Sequence, residues 1–595
     1  MHEPARRTWP QITGCAVLLM VFVILSWLGV HDKSATIDEP LHAIAGVRAM
    51  EMGDFLMNTE DPPLWKYWAM LDQPAHALRP NPATSDLDPA SGGFLIATKL
   101  LYQTPGNDGA AFINRSRAMM LVLGALLGCC IAAWSWQLAG AAGALVATAL
   151  YALDPNFLAH APLVKNDVAI SLVLTCIAWA TWSVGKSLRW WNALLLMLLC
   201  AAAVTVKFSG LIAGPMAAIL LLLRAISSQP WAIFGSPGLA RTSRILVAGG
   251  LCLIFLLFSG LTIWACYRFR FQPAADADAA LDLTAQVMQL KRNNFYEANG
   301  FYPTQAQIES VSTPLFARTI VFMHDHRLLP QSYLFGALLT RAAAVVRPSY
   351  LMGETSMTGW WYYFPIAMLS KTPLATLAAV LIAVFASIKL KQITDSWTCL
   401  CLMVPLALYG GSALLTNLNL GIRHILPIYP FLYVLIGLIA AKARLRWPRQ
   451  FKPAACILAA ALVVEVAASF PYYISFFNVL ARPHRLTLLS DSNFDWGQDL
   501  PAVARWQAAH PDEQLHLAYW GPADPAFYKI RYLPMPGGFA PATQAVEPAT
   551  TQPMSSVAMI SATLLQTSSD YRMLRGRTPD EVIGDSIFLY RLPPD

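Results

Sequence analysis

Apolar residues in this chain come in long uninterrupted runs rather than in the alternation of a strand or the stripe of a half-buried helix. A helix that crosses a bilayer needs roughly 20 mostly apolar residues. Eleven stretches fit: 12–30, 117–138, 139–157, 167–185, 190–207, 209–226, 244–266, 364–388, 397–416, 422–441 and 454–473. The third is rich in Ala and Gly and follows its neighbour with almost no loop. Three long segments lie between or after the runs: 31–116, 267–363 and 474–595. In the last, the period changes. Alternation over 515–520, 555–562 and 586–592 predicts strands, and 500–509 and 561–574 read as helices, so a small α/β unit is expected. The Pro/Ala/Thr-rich stretch 534–553 reads as a surface loop. The fold class is thus a mainly α polytopic membrane protein over 1–473, followed by an extracytoplasmic α/β domain over 474–595.

Composition agrees. Of 595 residues, 56% are hydrophobic and 13% charged, about half the charge of a soluble domain. That argues against a soluble enzyme, and against disorder. The net charge of +7 raises a nucleic-acid reading, which the placement of the charges removes. Short cytoplasmic loops collect Lys and Arg. With Arg6 and Arg7 inside, the inside segments carry Lys186, Arg189, Arg224, Arg241, Arg244, Lys389, Lys391, Lys442, Arg444, Arg446, Arg449 and Lys452, against Glu3 and Asp395 alone. The excess is an orientation signal, and no nucleic-acid partner is expected. The alternation needs an odd number of spans, with the N-terminus cytoplasmic and the C-terminus outside. A cleaved signal peptide at 12–30 is the rival, disfavoured because the run is longer than an ordinary signal core. All ten Cys lie in or beside apolar runs, so no disulfide framework is implied.

Candidate chemistry gathers at the outer ends of the spans. Asp38 and Glu39 stand in TIDEPLHAIAG. After Pro40, the pattern Leu41, Ile44, Val47, Met50 predicts a helix lying at the membrane interface, which would hold the acids near the surface. A carboxylate so placed can act as a general base. Glu60 and Asp61 precede Pro62 and Pro63 and an aromatic cluster around Lys66; this is an interfacial turn, or a second acidic site for a metal or an ammonium group. Lys165, Asn166 and Asp167 form a third outer turn, where Asp167 either caps the next helix or faces Asp38 across one cavity. Lys207, Lys371, Arg423 and His424 lie at or near membrane depth, where ionisable residues are costly and point to function; cations there suit a lipid-linked phosphate. His324 and His326 form an HxH pair without a clear third ligand. The loop LLSDSNFDWGQDL places Asp491, Asn493, Asp495 and Asp499 in a calcium-like alternation that fails the EF-hand pattern at Trp496 and Ala502. Asp499 reads instead as a helix N-cap.

These pieces resemble the GT-C integral-membrane glycosyltransferases, in particular the protein O-mannosyltransferases and the lipid A aminoarabinose transferases. The segments carrying the resemblance are IDEPLH, GDFLMNTEDPPLWK, LAHAPLVKNDVA, VKFSG, GETSMTGWWYYFPIAMLSKTPL, NLGIRHILPIYPF and DSNFDWGQDL. They run from about residue 36 to about 500. The resemblance implies an extracytoplasmic site, a polyprenyl-phosphate sugar donor embedded among membrane lipids, and inversion as the usual outcome. It implies that Asp38, with Glu39 beside it, supplies the base and that Asp167 is a second acid. Glu60 lines up with a glutamate that takes part in a metal site, so a divalent cation held with His324 and His326 is an expectation. Asp61 departs from that family, which has Lys there; Lys66 or Lys165 is expected to compensate. With Lys207, Lys371, Arg423 and His424, they make the candidate donor-phosphate site. No P-loop and no GxGxxG is present, which fits a donor delivered by lipid without a nucleotide cofactor. A bacterial inner membrane is the expected location. The reading is therefore a glycosyltransferase acting on an extracytoplasmic acceptor (a protein hydroxyl, lipid A or another envelope glycan). The alternative is a flippase for lipid-linked sugars, which predicts paired broken helices near the midplane.

Overall fold

The computed structural model describes residues 9–236, 238–276, 280–390, 394–538 and 555–593. Among the described residues, eight helices are long and apolar enough to cross a membrane: Pro10–Val30, Gly109–Ala152, Asp167–Lys186, Phe208–Ile226, Arg241–Cys266, Ser396–Leu414, Ile422–Arg446 and Pro448–Ser469. The pair Tyr363–Lys371 and Leu374–Leu390, bent by 111°, is long and apolar enough together to make a ninth if it is one span. Trp190–Val206 is a shorter apolar helix. The protein is an integral membrane protein.

Eleven runs and these helices are reconciled at Gly140. The 44-residue stretch Gly109–Ala152 takes φ 67° there, a left-handed value that glycine adopts without steric cost. Tyr151, 27 positions beyond Gly124, donates its hydroxyl to the Gly124 carbonyl at 2.6 Å. A straight helix would separate them by roughly 40 Å. The stretch is therefore an antiparallel hairpin, and the runs 117–138 and 139–157 are its two arms. The second arm turns at Leu153 into the short helix Pro155–His160.

Side-chain bonds gather the predicted outer ends at one end of the bundle. Arg117 donates to the Val30 carbonyl at 2.9 Å, Asn156 to that of Lys371 at 2.7 Å, and Lys371 to that of Ile474 at 2.9 Å. Lys207 and Arg423 both pair with Asp167. The opposite ends meet each other. Lys186 lies 3.5 Å from Asp395, Arg224 donates to the Gly185 carbonyl at 2.6 Å, and strands Ser187–Leu188 and Ala232–Ile233 pair.

The first external segment departs from expectation. Helix Asp38–Val47 forms, but it does not lie flat on a membrane surface. Ala43 and Ile44 are buried, Gly46 abuts Met70 and Lys66, and Leu41 abuts Gly93. The helix is thus sandwiched between helices Leu64–Met70 and Gly93–Tyr102. Adding helical partners removes the apolar face from lipid.

The C-terminal unit is a five-stranded sheet in the order 533–534, 513–518, 555–561, 587–591, 581–583. Strand Glu513–Ala518 runs parallel to Ser555–Ser561, which pairs antiparallel with Ile587–Arg591. Three of the five, 513–518, 555–561 and 587–591, fall on the predicted stretches, the first ending two residues early; the short strands 533–534 and 581–583 are not among those expected. Helix Leu500–Ala509 forms as expected, whereas 561–574 divides into helix Ala562–Thr567 and a 3₁₀ turn Ser569–Leu574. Residues 539–553 of the expected loop lie outside the described residues. Two bonds staple the sheet unit to the first external segment: Thr98 to the Pro522 carbonyl at 3.0 Å and Gln103 to Asp524 at 2.8 Å. Residues 474–499 do not join the sheet; they fold around the outer ends of the helices.

Two predictions follow from these anchors. Arg117 and Glu39 form a fully buried pair, so Arg117→Ala leaves a carboxylate without its counterion. Unfolding stability should fall by about 3–5 kcal/mol, read as a lower thermal midpoint in detergent, and Arg117→Ala with Glu39→Gln should recover part of it. Asp495 is the second anchor: it accepts the Thr563 backbone N–H at 3.0 Å, and burial pushes its carboxyl up to about 7. An unfolded Asp titrates near pH 4, so between about pH 4 and 7 the folded chain holds the extra proton and stability falls as pH rises. Asp495→Asn should flatten that fall in thermal midpoints measured from pH 5 to 8.

Candidate active site

Five charged side chains, drawn from four stretches of chain, alternate in sign at one end of the bundle, the end predicted to face outward. Lys207, at the end of helix Trp190–Val206, pairs with Asp167. Asp167 opens helix Asp167–Lys186 and lies 3.4 Å from Arg423. The Arg423 Nη2 is 3.6 Å from Asp38, and Lys165 Nζ is 2.7 Å from the same Asp38 oxygen. Asp167 and Arg423 are almost wholly buried, whereas the Asp38 side chain keeps 21% exposure. Asp38 is thus the carboxylate of this network open to an incoming group. Burial pushes its carboxyl up, but Lys165, Arg423 and His42 outweigh burial and hold it well below the usual carboxylate range. It is ionised and doubly held. His424 sits beside the network, its Nε2 buried and, among the described residues, without a hydrogen-bond partner.

The loop 490–499 holds Arg423 from behind. Ser492 Oγ accepts from Arg423 Nε at 3.1 Å, and the guanidinium lies 4.5 Å from the centroid of the Trp496 ring. Asn493 accepts the Ile422 backbone N–H at 2.9 Å. The alternating acids of this loop do not converge on one point. Asp491 lies toward Arg423, and burial raises its carboxyl against that cation. Asp495 faces Thr563 and Gly497. Asp499 makes no side-chain cap; it accepts from Lys33 at 2.5 Å and Ser586 at 2.6 Å.

Several candidates take other places. Glu39 is not available for catalysis. Arg117 Nε and Nη2 reach its two oxygens at 2.9 and 2.6 Å, and Thr36 and Val164 donate backbone N–H groups to them. Adjacent helical residues point about 100° apart, which separates Glu39 from Asp38. Lys371 is committed to backbone; its Nζ donates to the carbonyls of Ile474 at 2.9 Å and Asn493 at 2.5 Å. Lys66 is buried and donates to the Asn58 carbonyl at 2.9 Å; burial draws its ammonium down to about 8. Asp61 faces His42 at 3.0 Å and accepts from Asn166 at 2.6 Å. The lysine expected at that position is thus replaced by an acid committed to two partners.

Glu60 points its charge toward the network but has a raised carboxyl, because burial and the nearby Asp61 and Asp38 outweigh Arg347 and Lys165. His324 meets Asp325 and Gln331, and His326 folds back on the Phe322 carbonyl. Among the described residues, no three His, Cys, Asp or Glu side chains gather as metal ligands. Glu60, His324 and His326 therefore do not fit the expected metal site, and the chemistry below is derived without one. Residues that sequence reasoning passed over include His42, Arg347, Ser492 and Trp496. His42 carried a usable signal, since it follows Asp38 by four positions and shares its helix face.

No family model matches the chain. No relative is found among curated proteins. Solved structures do match. The apo oligosaccharyltransferase of Archaeoglobus fulgidus is 12% identical, with 96% of this chain and 73% of that one covered, at a TM-score of 0.44. The archaeal oligosaccharyltransferase AglB from Archaeoglobus fulgidus, in complex with an inhibitory peptide and a dolichol-phosphate, is 13% identical, with 91% and 62% covered and a TM-score of 0.43. ArnT from Cupriavidus metallidurans bound to undecaprenyl phosphate is 11% identical, with 97% and 98% covered and a TM-score of 0.30. Superpositions this loose transfer no residue role. The chain is similar, at low identity and over most of its length, to these solved oligosaccharyltransferase and ArnT structures.

Proposed function

We propose that the protein moves a glycosyl group from a polyprenyl phosphate to an acceptor outside the cytoplasm, from a bacterial inner membrane with its N-terminus cytoplasmic. The observation that carries this reading is the placement of one open carboxylate, Asp38, between two cations, Lys165 and Arg423. A polyprenyl phosphate leaving group needs charge stabilisation more than a strong acid, and three cations of the network supply it.

In the resting site Asp38 is a weak base, because two cations stabilise its charge. An arriving phosphate competes for Lys165 and Arg423. As they turn to it, the Asp38 carboxylate loses stabilisation and gains basicity when the donor is in place. Asp38 then accepts the proton of the acceptor hydroxyl or amine. The acceptor heteroatom bonds to the anomeric carbon, the bond from that carbon to the phosphate oxygen breaks, and the electron pair leaves on the polyprenyl phosphate. Attack opposite the leaving group inverts the anomeric centre. Asp167 keeps Lys207 and Arg423 aligned, and His424 offers a free ring nitrogen to the donor. Transport of the lipid-linked sugar is the weaker reading. Among the described residues one bent helix pair occurs, without the second that a transporter repeat would bring.

In proteoliposomes given a radiolabelled polyprenyl-phosphate sugar and envelope extract, the wild type should form labelled product. Asp38→Asn should lower transfer by about a hundredfold to ten-thousandfold, the range for a lost general base, with an unchanged elution profile. Undiminished transfer by this variant removes Asp38 from the base role. Arg423→Gln and Lys165→Gln should raise the donor KM, each weakening a charge-assisted contact by about 1.5–3 kcal/mol, or roughly 10- to 150-fold. Sugar movement across the bilayer without any covalent product would favour transport instead.

A further inference from the structure

His42 and Asp61 are buried or nearly so and touch no reacting atom in the reaction just described. His42 stands one turn after Asp38 on helix Asp38–Val47. Its Nε2 lies 3.0 Å from Asp61 Oδ2 and its Nδ1 lies 2.9 Å from the Val164 carbonyl oxygen. Both ring nitrogens therefore face oxygen atoms. The other oxygen of Asp61 accepts from Asn166 Nδ2 at 2.6 Å. The edge of the His42 ring packs on Trp65, centroids 5.1 Å apart.

These bonds land on either side of one residue. Val164 and Asn166 flank Lys165, and Asn166 precedes Asp167. Residues 161–166 form bends rather than a helix or strand. Little repeating backbone bonding fixes them, so side chains from the first external segment must. Glu39 takes the Val164 N–H at 3.0 Å, His42 the Val164 carbonyl, and Asp61 the Asn166 amide. The same helix that presents Asp38 thus grips the turn that presents Lys165 and Asp167.

We propose that His42 and Asp61 are a positioning pair: bridged to each other, they clamp the 164–167 turn so that Lys165 meets Asp38 and Asp167 meets Arg423. Neither side chain touches the reacting atoms. The functional part of this inference rests on the proposed transferase reading; the clamp itself does not. Displacing a positioned group by about 1 Å costs on the order of a hundredfold in rate, so the clamp matters beyond stability.

The test uses the full chain in proteoliposomes with His42→Gln, Asp61→Asn and the double variant. Gln keeps one of the two histidine contacts, and Asn keeps the shape of Asp61 without its charge. Transfer from polyprenyl-phosphate sugar and amide hydrogen exchange over 161–167 are measured together, with strand Glu513–Ala518 as the folding reference. Each single change should lower kcat/KM by roughly tenfold to a hundredfold. The double should lose no more than the worse single, because both remove the same clamp. Exchange over 161–167 should rise in all three while the strand stays protected. Losses that multiply, unchanged exchange over 161–167, or faster exchange with unchanged transfer would each overturn the pair's role. If His42→Gln also exposes the reference strand, Asp61→Asn carries the comparison. If the wild type transfers no sugar, the transferase reading fails, and the exchange comparison still decides the clamp: faster exchange over 161–167 upholds it and unchanged exchange sinks it.

Discussion

Charge compensation at the edge of an apolar bundle is the constraint on which the site depends. Lys207, Asp167, Arg423, Asp38 and Lys165 are largely withdrawn from water, and a single buried ion without a partner costs several kcal/mol. The alternation solves this by giving each interior member of the chain a neighbour of opposite sign on both sides. It also leaves three cations against two acids, an electropositive surplus beside one partly open carboxylate. A site that is stable when empty and attractive to a phosphate follows from the same arrangement.

Holding that network takes much of the outer end of the molecule. The loop 490–499 backs Arg423 with a hydroxyl and an indole face, and its three acids serve different neighbours instead of one ion. Lys371, buried at the end of helix Tyr363–Lys371, donates to Ile474 and Asn493 and so ties that helix to the stretch after the last membrane helix and to the loop. Glu39 and Arg117 tie the first external segment to the hairpin helix. The C-terminal sheet supports the loop through Asp495 and Asp499.

Much of this architecture was legible in the chain. The apolar runs identified the helices, including the two arms of the hairpin that meet at Gly140, because a run of that length has few ways to satisfy its backbone except as a helix in lipid or core. Asp38, Lys165, Asp167, Lys207 and Arg423 were legible as a group because each stands at an outer end, and the alternation of spans brings those ends together. The amphipathic pattern after Pro40 misled: an apolar face shows that a helix needs cover but does not say whether lipid or protein supplies it. The HxH pair misled in the same way, since spacing shows what could chelate but not whether a third ligand arrives.

The sequence by itself determined the number and order of the helical runs, the three longer strands of the last unit and the end of the molecule where chemistry gathers. These follow from local hydrophobicity, period and charge. Only the tertiary structure decided which ionisable groups pair. Asp38 and Glu39 are neighbours in the chain, yet the helix turns one toward Lys165 and Arg423 and the other into the grip of Arg117. Asp61 and His42 are joined to a turn more than a hundred residues away. Contacts at that separation depend on how whole elements pack, and a one-dimensional pattern carries no record of it.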